Sequence, residues 1–230
     1  MTFGVGVSWI VIKDRPSWKF KKKYLREISQ FMRSIIPMNI LNFAVNQYDV
    51  LFVGRFSGPS MVGIYQLGQK FSSVPLIELS DIFGKVTFPI YTKFAEDRVR
   101  LLNAYMRIVL SVLIIGFIGV VFLFTASSYL IRFLGPSWSG ISSFFPVLLA
   151  YGFLMSLWGT TGSLFLSLSA QVILARIAFI RFLLTIPIVG AATYLYGITG
   201  TAWGLLLSIL MVIPITVYYF LRFFHRKNKG

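Results

Sequence analysis

The sequence predicts an all-α, polytopic bundle of transmembrane helices. The 230-residue chain is 57% hydrophobic and only 13% charged, with a mean hydropathy of +0.78. Long uncharged runs follow one another, with 24 residues between Arg107 and Arg132, 43 between Arg132 and Arg176, and 40 between Arg181 and Arg222. A bilayer-spanning helix needs about 20 apolar residues, so each run accommodates at least one. A soluble domain this poor in charge would expose large apolar patches, which excludes a soluble enzyme.

The first 33 residues precede the predicted bundle and divide into two parts. Residues 1–12 are apolar but too short to cross a bilayer, and no basic region precedes them as in a signal peptide. We therefore expect part of a transmembrane helix there. Residues 13–33 combine eight Lys and Arg residues with an apolar stripe that includes Phe20, Tyr24 and Phe31. This pattern predicts a basic amphipathic linker that lies at the lipid interface.

Six predicted spans follow and form a bundle over residues 34–221, with a basic cytoplasmic tail at 222–230. Pro75 is expected to kink the second span, and Gly197 separates the last two. The predicted spans are 34–54, 61–92, 108–131, 142–166, 172–195 and 199–221.

The net charge of +15 is distributed unevenly along the chain. The segments expected on one side of the membrane carry eighteen Lys and Arg residues, whereas the opposite connections carry only Arg55 and Arg132. By the positive-inside rule, both termini are predicted to be cytoplasmic. The charge thus reflects topology, and no nucleic-acid partner is expected. The basic segments are 13–33, 93–107, 167–181 and 222–230.

Polar side chains recur on one side of the first predicted span. Asn39, Asn42, Asn46 and Asp49 fall within an arc of roughly 80° on a helical projection. One interpretation is a face that lines a hydrated cavity. The alternative is interhelical hydrogen bonding, a common structural use of Asn in membranes.

Charged residues also lie within the second predicted span. Glu78, Asp81 and Lys85 share one helix face, and Asp81 and Lys85 have the spacing of an ion pair. Because charge in hydrocarbon is costly, they indicate either a closed structural ion network or a site for a coupling cation, a proton or a substrate. Lys70, nearer the outer leaflet, either snorkels to the lipid surface or meets a phosphate.

Two basic residues open the fifth predicted span on the cytoplasmic side. Arg176 and Arg181 are expected to snorkel to lipid headgroups, and contact with an anionic substrate is the alternative. The chain contains no cysteine and a single histidine, His225, which excludes thiolate chemistry and a multi-histidine metal site within it. With no nucleotide-binding loop or catalytic triad pattern either, we expect neither an enzyme nor a cofactor.

Five sequence segments in order resemble the polysaccharide-repeat-unit flippases of bacteria and archaea. That family belongs to a superfamily with the multidrug and toxin extruders and the lipid II flippases. The resemblance extends over roughly residues 1–221. The segments are NQYDVLFVGRF at 46–56, VGIYQLG at 62–68, FPIY at 88–91, FLGPSW at 133–138 and GITGTA at 197–202.

The resemblance implies a transporter of two lobes, each with six helices, in the cytoplasmic membrane. The chain resembles the C-terminal lobe of such a multidrug-extruder-like fold, preceded by the end of the first lobe's last helix. The expected substrate is a polyprenyl-pyrophosphate-linked oligosaccharide, and the expected partners are the lipid bilayer and a missing N-terminal lobe or second half. Transport by rocking of two lobes about a central site requires both lobes.

Under this hypothesis the polar residues divide into three groups. Asn42, Asn46 and Asp49 would line the sugar path, and Glu78, Asp81 and Lys85 would serve coupling or gating. The candidate pyrophosphate contacts are Arg55, Lys70 and Arg181.

Two other functions stay open. A cation-coupled multidrug antiporter of the same superfamily would use Asp49 or Glu78 as its ion-binding carboxylate. A non-transporting membrane scaffold for polysaccharide synthases would use neither.

Overall fold

The computed structural model describes residues 47–168 and 170–226, and these residues form helices joined by short turns. The expectations for residues 1–12 and 13–33 lie outside the described residues, as do most of the first predicted span and the end of the tail. The elements are α1 (47–57), α2 (Pro59–Phe71), α3 (Ser73–Lys93), α4 (Arg98–Leu134), a 3-10 helix (Pro136–Ser143), α5 (Phe145–Ser167) and α6 (Gln171–Arg226).

Three of these helices are long and apolar enough to cross a membrane, namely Arg98–Leu134, Phe145–Ser167 and Val172–Phe224. The predicted all-helical membrane class is therefore confirmed, whereas the count of six spans stays a prediction. The longest helix is interrupted at Gly197, which has φ 60° and ψ −143°. This break divides α6 into a first and a second arm at the predicted connection between the fifth and sixth spans.

The second predicted span is two helices, because the chain departs from helical geometry at Ser72 between α2 and α3. Pro75 explains the position of the break. A proline has no N–H to donate to the carbonyl four residues earlier, and its ring clashes with that carbonyl, which here belongs to Phe71. The hydroxyl of Ser72 instead donates to the carbonyl oxygen of Gly68 at 2.6 Å. The predicted proline kink thus lies one turn before the proline itself.

Helix α5 lies at the centre of the bundle and packs closely against α3. Small residues allow this approach: a Cβ at Gly152 would lie 2.5 Å from the Cα of Ser73, and one at Gly159 would lie 2.4 Å from the hydroxyl of Ser80. Small residues at such contacts are typical of helices in membranes, where backbones gain van der Waals contact by approaching closely. Helix α4, in contrast, exposes a long apolar surface that includes Phe122 and Phe133.

The two arms of α6 pack antiparallel to each other. A Cβ at Gly200 would lie 1.9 Å from the backbone oxygen of Ala192, so only glycine fits this contact. The hydroxyls of Thr193 and Thr201 are 2.9 Å apart across the same interface and form a buried hydrogen bond. The sequence around Gly197 therefore forms a tight helical hairpin.

Candidate functional site

A stripe of exposed polar side chains runs along α2 and α3. Gln66 and Lys70 lie on α2, and Glu78, Asp81 and Lys85 lie on α3. We refer to these five residues as the polar stripe. At 1.5 Å per residue, positions 66 and 85 are about 28 Å apart along the helices, close to the thickness of about 30 Å of a bilayer's hydrocarbon core. The length of the stripe, measured along the two helices, is therefore comparable with the thickness of a membrane.

The surroundings of the polar stripe are apolar. Val74, Ile82 and Val86 on α3 are all exposed beside it. Ile82 is 59% exposed and Val86 is 65% exposed. The ion pair that the sequence allowed between Asp81 and Lys85 is not formed. An ion pair is formed instead between Arg100 and Asp97, outside the stripe.

A second group of polar residues is buried where α1 meets α2. Asp49 is only 5% exposed. One of its carboxylate oxygens accepts hydrogen bonds from the hydroxyl of Tyr65 at 2.7 Å and from Nε2 of Gln69 at 2.8 Å. Its other oxygen accepts from the backbone N–H of Val50 at 2.9 Å. For Asp49, this enclosure favours interhelical hydrogen bonding over a face on a hydrated cavity.

Arg181 lies beside the middle of α5, and its expected snorkelling to lipid headgroups stays a prediction. Its guanidinium group stacks 4.9 Å from the ring centroid of Trp158 and donates a long hydrogen bond of 3.5 Å to the hydroxyl of Tyr151. Tyr151 and Trp158 both lie in the middle part of α5, away from its ends. The indole N–H of Trp158 donates to the hydroxyl of Thr216 at 3.0 Å. Stacking on an aromatic ring offsets part of the cost of holding this cation within the bundle.

The surroundings of Asp49 and Arg181 share one core cluster. Tyr48 and Tyr151 are buried in this cluster together with Tyr65. Six residues form what we call the buried polar cluster: Tyr48, Asp49, Tyr65 and Tyr151, which are buried, and Gln69 and Arg181, which are half-buried. They lie on α1, α2, α5 and α6.

The predicted site residues thus fall into separate places. Lys70, Glu78, Asp81 and Lys85 share the polar stripe, and Asp49 and Arg181 share the buried polar cluster. Arg55 is exposed near the end of α1, apart from both groups. Asn42 and Asn46 lie outside the described residues.

Sequence reasoning missed the partners of the buried charges. Tyr65 and Gln69 are four residues apart and so face the same side of α2. This spacing was the signal in the sequence that could have indicated a shared partner. Tyr65 also falls inside one of the segments that carries the family resemblance. Nothing in the sequence indicated that Tyr151 and Trp158 contact Arg181. No group of three or more His, Asp or Glu residues that could hold a metal ion occurs in the described part of the chain.

A family model described as polysaccharide biosynthesis protein matches residues 1–143. The chain belongs to this family. The match covers α1, α2 and α3, and therefore includes the whole polar stripe and the Asp49, Tyr65 and Gln69 part of the buried polar cluster. The recognised resemblance to a family concerned with polysaccharide biosynthesis is confirmed.

Several curated proteins are similar to the chain. An uncharacterized membrane protein in the cps region of Klebsiella pneumoniae is 26% identical over 210 residues, which is 90% of this chain and 43% of that protein. The lipopolysaccharide biosynthesis protein WzxC of Escherichia coli is 24% identical, over 90% of this chain and 42% of its own length. The teichuronic acid biosynthesis protein TuaB of Bacillus subtilis is 22% identical, over 69% and 34%.

The chain thus spans less than half the length of the curated relatives that it matches. No solved structure gives a significant match to it.

Proposed function

We propose that the protein is the C-terminal lobe, or half, of a transporter that flips polyprenyl-pyrophosphate-linked oligosaccharide across the cytoplasmic membrane. The observation that carries the proposal is the polar stripe, a row of five exposed polar residues along α2 and α3 beside exposed apolar side chains. It occurs in a member of the polysaccharide biosynthesis protein family. Uncompensated charges at membrane depth are expensive unless they face water or a polar partner. A passing oligosaccharide with its water is such a partner.

In the proposed mechanism, sugar hydroxyls exchange hydrogen bonds along the stripe while the polyprenyl tail stays in lipid. Glu78, Asp81 and Lys85 supply donors and acceptors and serve coupling or gating. Lys70 and Arg55 attract the pyrophosphate, since both are exposed cations. Asn42 and Asn46 keep their proposed place on the sugar path. Rocking of this lobe against a second one would expose the stripe to either side.

The positions of Asp49 and Arg181 change their proposed roles. Asp49 is buried and Arg181 is half-buried, and both contact neighbouring helices away from the stripe, so we assign them support of the path instead of direct contact with sugar or pyrophosphate. Removing Asp49 would leave the Tyr65 hydroxyl and the Gln69 amide without their shared acceptor. An unsatisfied buried polar group costs about 1–3 kcal/mol.

Transport is favoured over a scaffold role by one further comparison. The chain is 28% identical over 99 residues, which is 43% of this chain and 20% of that protein, to a protein of Rhizobium meliloti named succinoglycan biosynthesis transport protein ExoT. A cation-coupled antiporter would also use an exposed carboxylate such as Glu78. Efflux of a cationic dye by the complete protein, without any effect on lipid-linked sugars, would identify that alternative.

The proposed function is tested by complementing a translocation-deficient strain with the complete gene. We expect wild type to restore surface polysaccharide, and Glu78→Ala and Asp49→Ala to reduce it several-fold for different reasons. Glu78→Ala removes a stripe residue, and Asp49→Ala removes an internal acceptor.

The matched control is Glu96→Ala, which removes an exposed carboxylate from the turn between α3 and α4. It should restore polysaccharide as well as wild type does. If Glu78→Ala and Asp49→Ala restore it equally well, the assigned site is wrong.

The proposed orientation has its own test, because the chain contains no cysteine. We expect Ser139→Cys, in the 3-10 helix, to react with a membrane-impermeant maleimide in intact cells. Glu96→Cys should react only after the cytoplasmic membrane is permeabilised, because the residues around it carry the basic excess typical of cytoplasmic segments. The reverse labelling pattern would refute cytoplasmic termini.

A further inference from the structure

Helix α2 is a short segment bounded by a backbone break at each end. Gly58, just before it, has φ 89°, a conformation that favours glycine. Ser72, just after it, has φ −112° and ψ −79°, and Pro75 removes the donor for the carbonyl of Phe71. With 13 residues between these breaks, the orientation of α2 is not dictated by a continuous helix on either side. Side-chain contacts must set it.

The polar contacts that set this orientation converge on one residue. Within the described residues, the side-chain hydrogen bonds that join α2 to α1 are those of Tyr65 and Gln69, and both end on the carboxylate of Asp49. Towards α3, the Ser73 hydroxyl donates only a long bond of 3.5 Å to the backbone carbonyl of Gln69. Tyr65 and Gln69 also bond to each other at 3.0 Å. Tyr65 is fully buried. Apolar contact comes from Phe144, which packs against Gly68 and the Tyr65 ring.

The same helix carries two of the five residues of the polar stripe. Gln66 directly follows Tyr65, and Lys70 directly follows Gln69; Tyr65 and Gln69 are the two residues that donate hydrogen bonds to Asp49. Successive helical residues are rotated by about 100°. Holding Tyr65 and Gln69 inward therefore fixes the direction in which Gln66 and Lys70 face. The other three stripe residues lie beyond the break, on α3, whose orientation is fixed separately by its packing against Gly152 and Gly159 of α5.

We propose that Asp49, Tyr65 and Gln69 form a latch that aligns the α2 part of the polar stripe with its α3 part across the break at Ser72. Tyr65 and Gln69 are thus positioning residues for translocation. They contact neither sugar nor pyrophosphate and act through Gln66 and Lys70. This role rests on the proposed function, whereas the latch itself is a property of the fold.

Pulsed electron spin resonance on the complete protein in nanodiscs tests the latch. The 230-residue chain has no cysteine, so it contributes no competing labelling site. Spin labels at Met61→Cys on α2 and Val86→Cys on α3 then report the distance across the break. Both positions are exposed and lie outside the stripe and the cluster. We expect one narrow distance distribution in wild type and a broadened or shifted one in Tyr65→Phe, which removes only the hydroxyl.

The matched control is Tyr105→Phe. It removes another tyrosine hydroxyl with an interhelical hydrogen bond, of 2.8 Å to Thr161, which joins α4 to α5. It should leave the α2–α3 distance as in wild type. An unchanged distribution in Tyr65→Phe, or an equal change in Tyr105→Phe, would overturn the latch.

A translocation measurement tests the positioning role separately. We expect Tyr65→Phe to lower the initial rate several-fold, and Asp49→Asn, which keeps an acceptor oxygen, to retain more activity than Asp49→Ala. A changed distance with an unchanged rate would overturn the positioning role. Failure of the wild-type protein to translocate any lipid-linked sugar would instead overturn the proposed function. The spin-label result is independent of that failure because it requires no substrate.

Discussion

Replacing Lys70, Glu78 and Asp81 together with leucine is expected to abolish polysaccharide translocation while leaving the protein inserted and folded. Each charge costs about 2.5–3.5 kcal/mol to place at the centre of a membrane helix on insertion scales, whereas leucine is favourable there. The triple variant therefore has no reason to lose membrane stability. It loses the groups that would exchange hydrogen bonds with sugar and attract pyrophosphate. Surface polysaccharide and the amount of folded protein in membranes are the two measurements.

The control for this variant introduces leucine at a polar position away from the stripe. Thr125 is exposed on α4, and its hydroxyl bonds only to carbonyls of its own helix. Thr125→Leu should leave polysaccharide at the wild-type level. Full translocation by the triple leucine variant would mean that the stripe faces something other than the substrate.

Gly200→Ala is expected to have the largest effect on stability. The new Cβ would lie 1.9 Å from the oxygen and 2.7 Å from the carbon of the Ala192 carbonyl, and a backbone cannot move aside as a side chain can. The arms of α6 must separate, which also strains the hydrogen bond between Thr193 and Thr201. Overpacking typically costs about 1–3 kcal/mol and occasionally more, and we expect the upper end of this range. Thermal unfolding in detergent, followed by size-exclusion chromatography, measures it.

Gly162→Ala provides the comparison on α5. No atom lies within 4 Å of the Cβ that it would introduce. Glycine inside a helix is less favourable than alanine by about 0.8–1.0 kcal/mol, so this variant should match or exceed wild-type stability. Equal melting temperatures for Gly200→Ala and Gly162→Ala would contradict the tight hairpin.

The helices could be predicted from the sequence because each signal is local. Uncharged runs between arginines located α4, α5 and α6, and Gly197 marked the break within α6. Pro75 predicted a kink in the second span, and the structure has a break between two helices at Ser72, because the affected carbonyl lies one turn before the proline. The charged face of Glu78, Asp81 and Lys85 also followed directly from helical spacing.

The contacts of the buried charges could not be predicted in the same way. Asp49 shares a helix face with Asn42 and Asn46, but periodicity does not say which neighbouring helix that face meets. Arg181 lies early in its own span, yet the antiparallel neighbour beside it offers Tyr151 and Trp158. The depth of a side chain depends on how two helices are staggered, and one sequence contains no direct signal for stagger.

The most direct test of the proposed flipping activity is the distribution of polyprenyl-pyrophosphate-linked sugar between the two leaflets of the cytoplasmic membrane. It can be measured by accessibility to an impermeant sugar-modifying enzyme, in cells with and without the complete gene. We predict that cells without the gene accumulate the lipid-linked sugar on the cytoplasmic leaflet and that complementation restores it to the outer leaflet. An unchanged distribution, with only the membrane recruitment of a synthase lost, would contradict translocation and establish a scaffold instead.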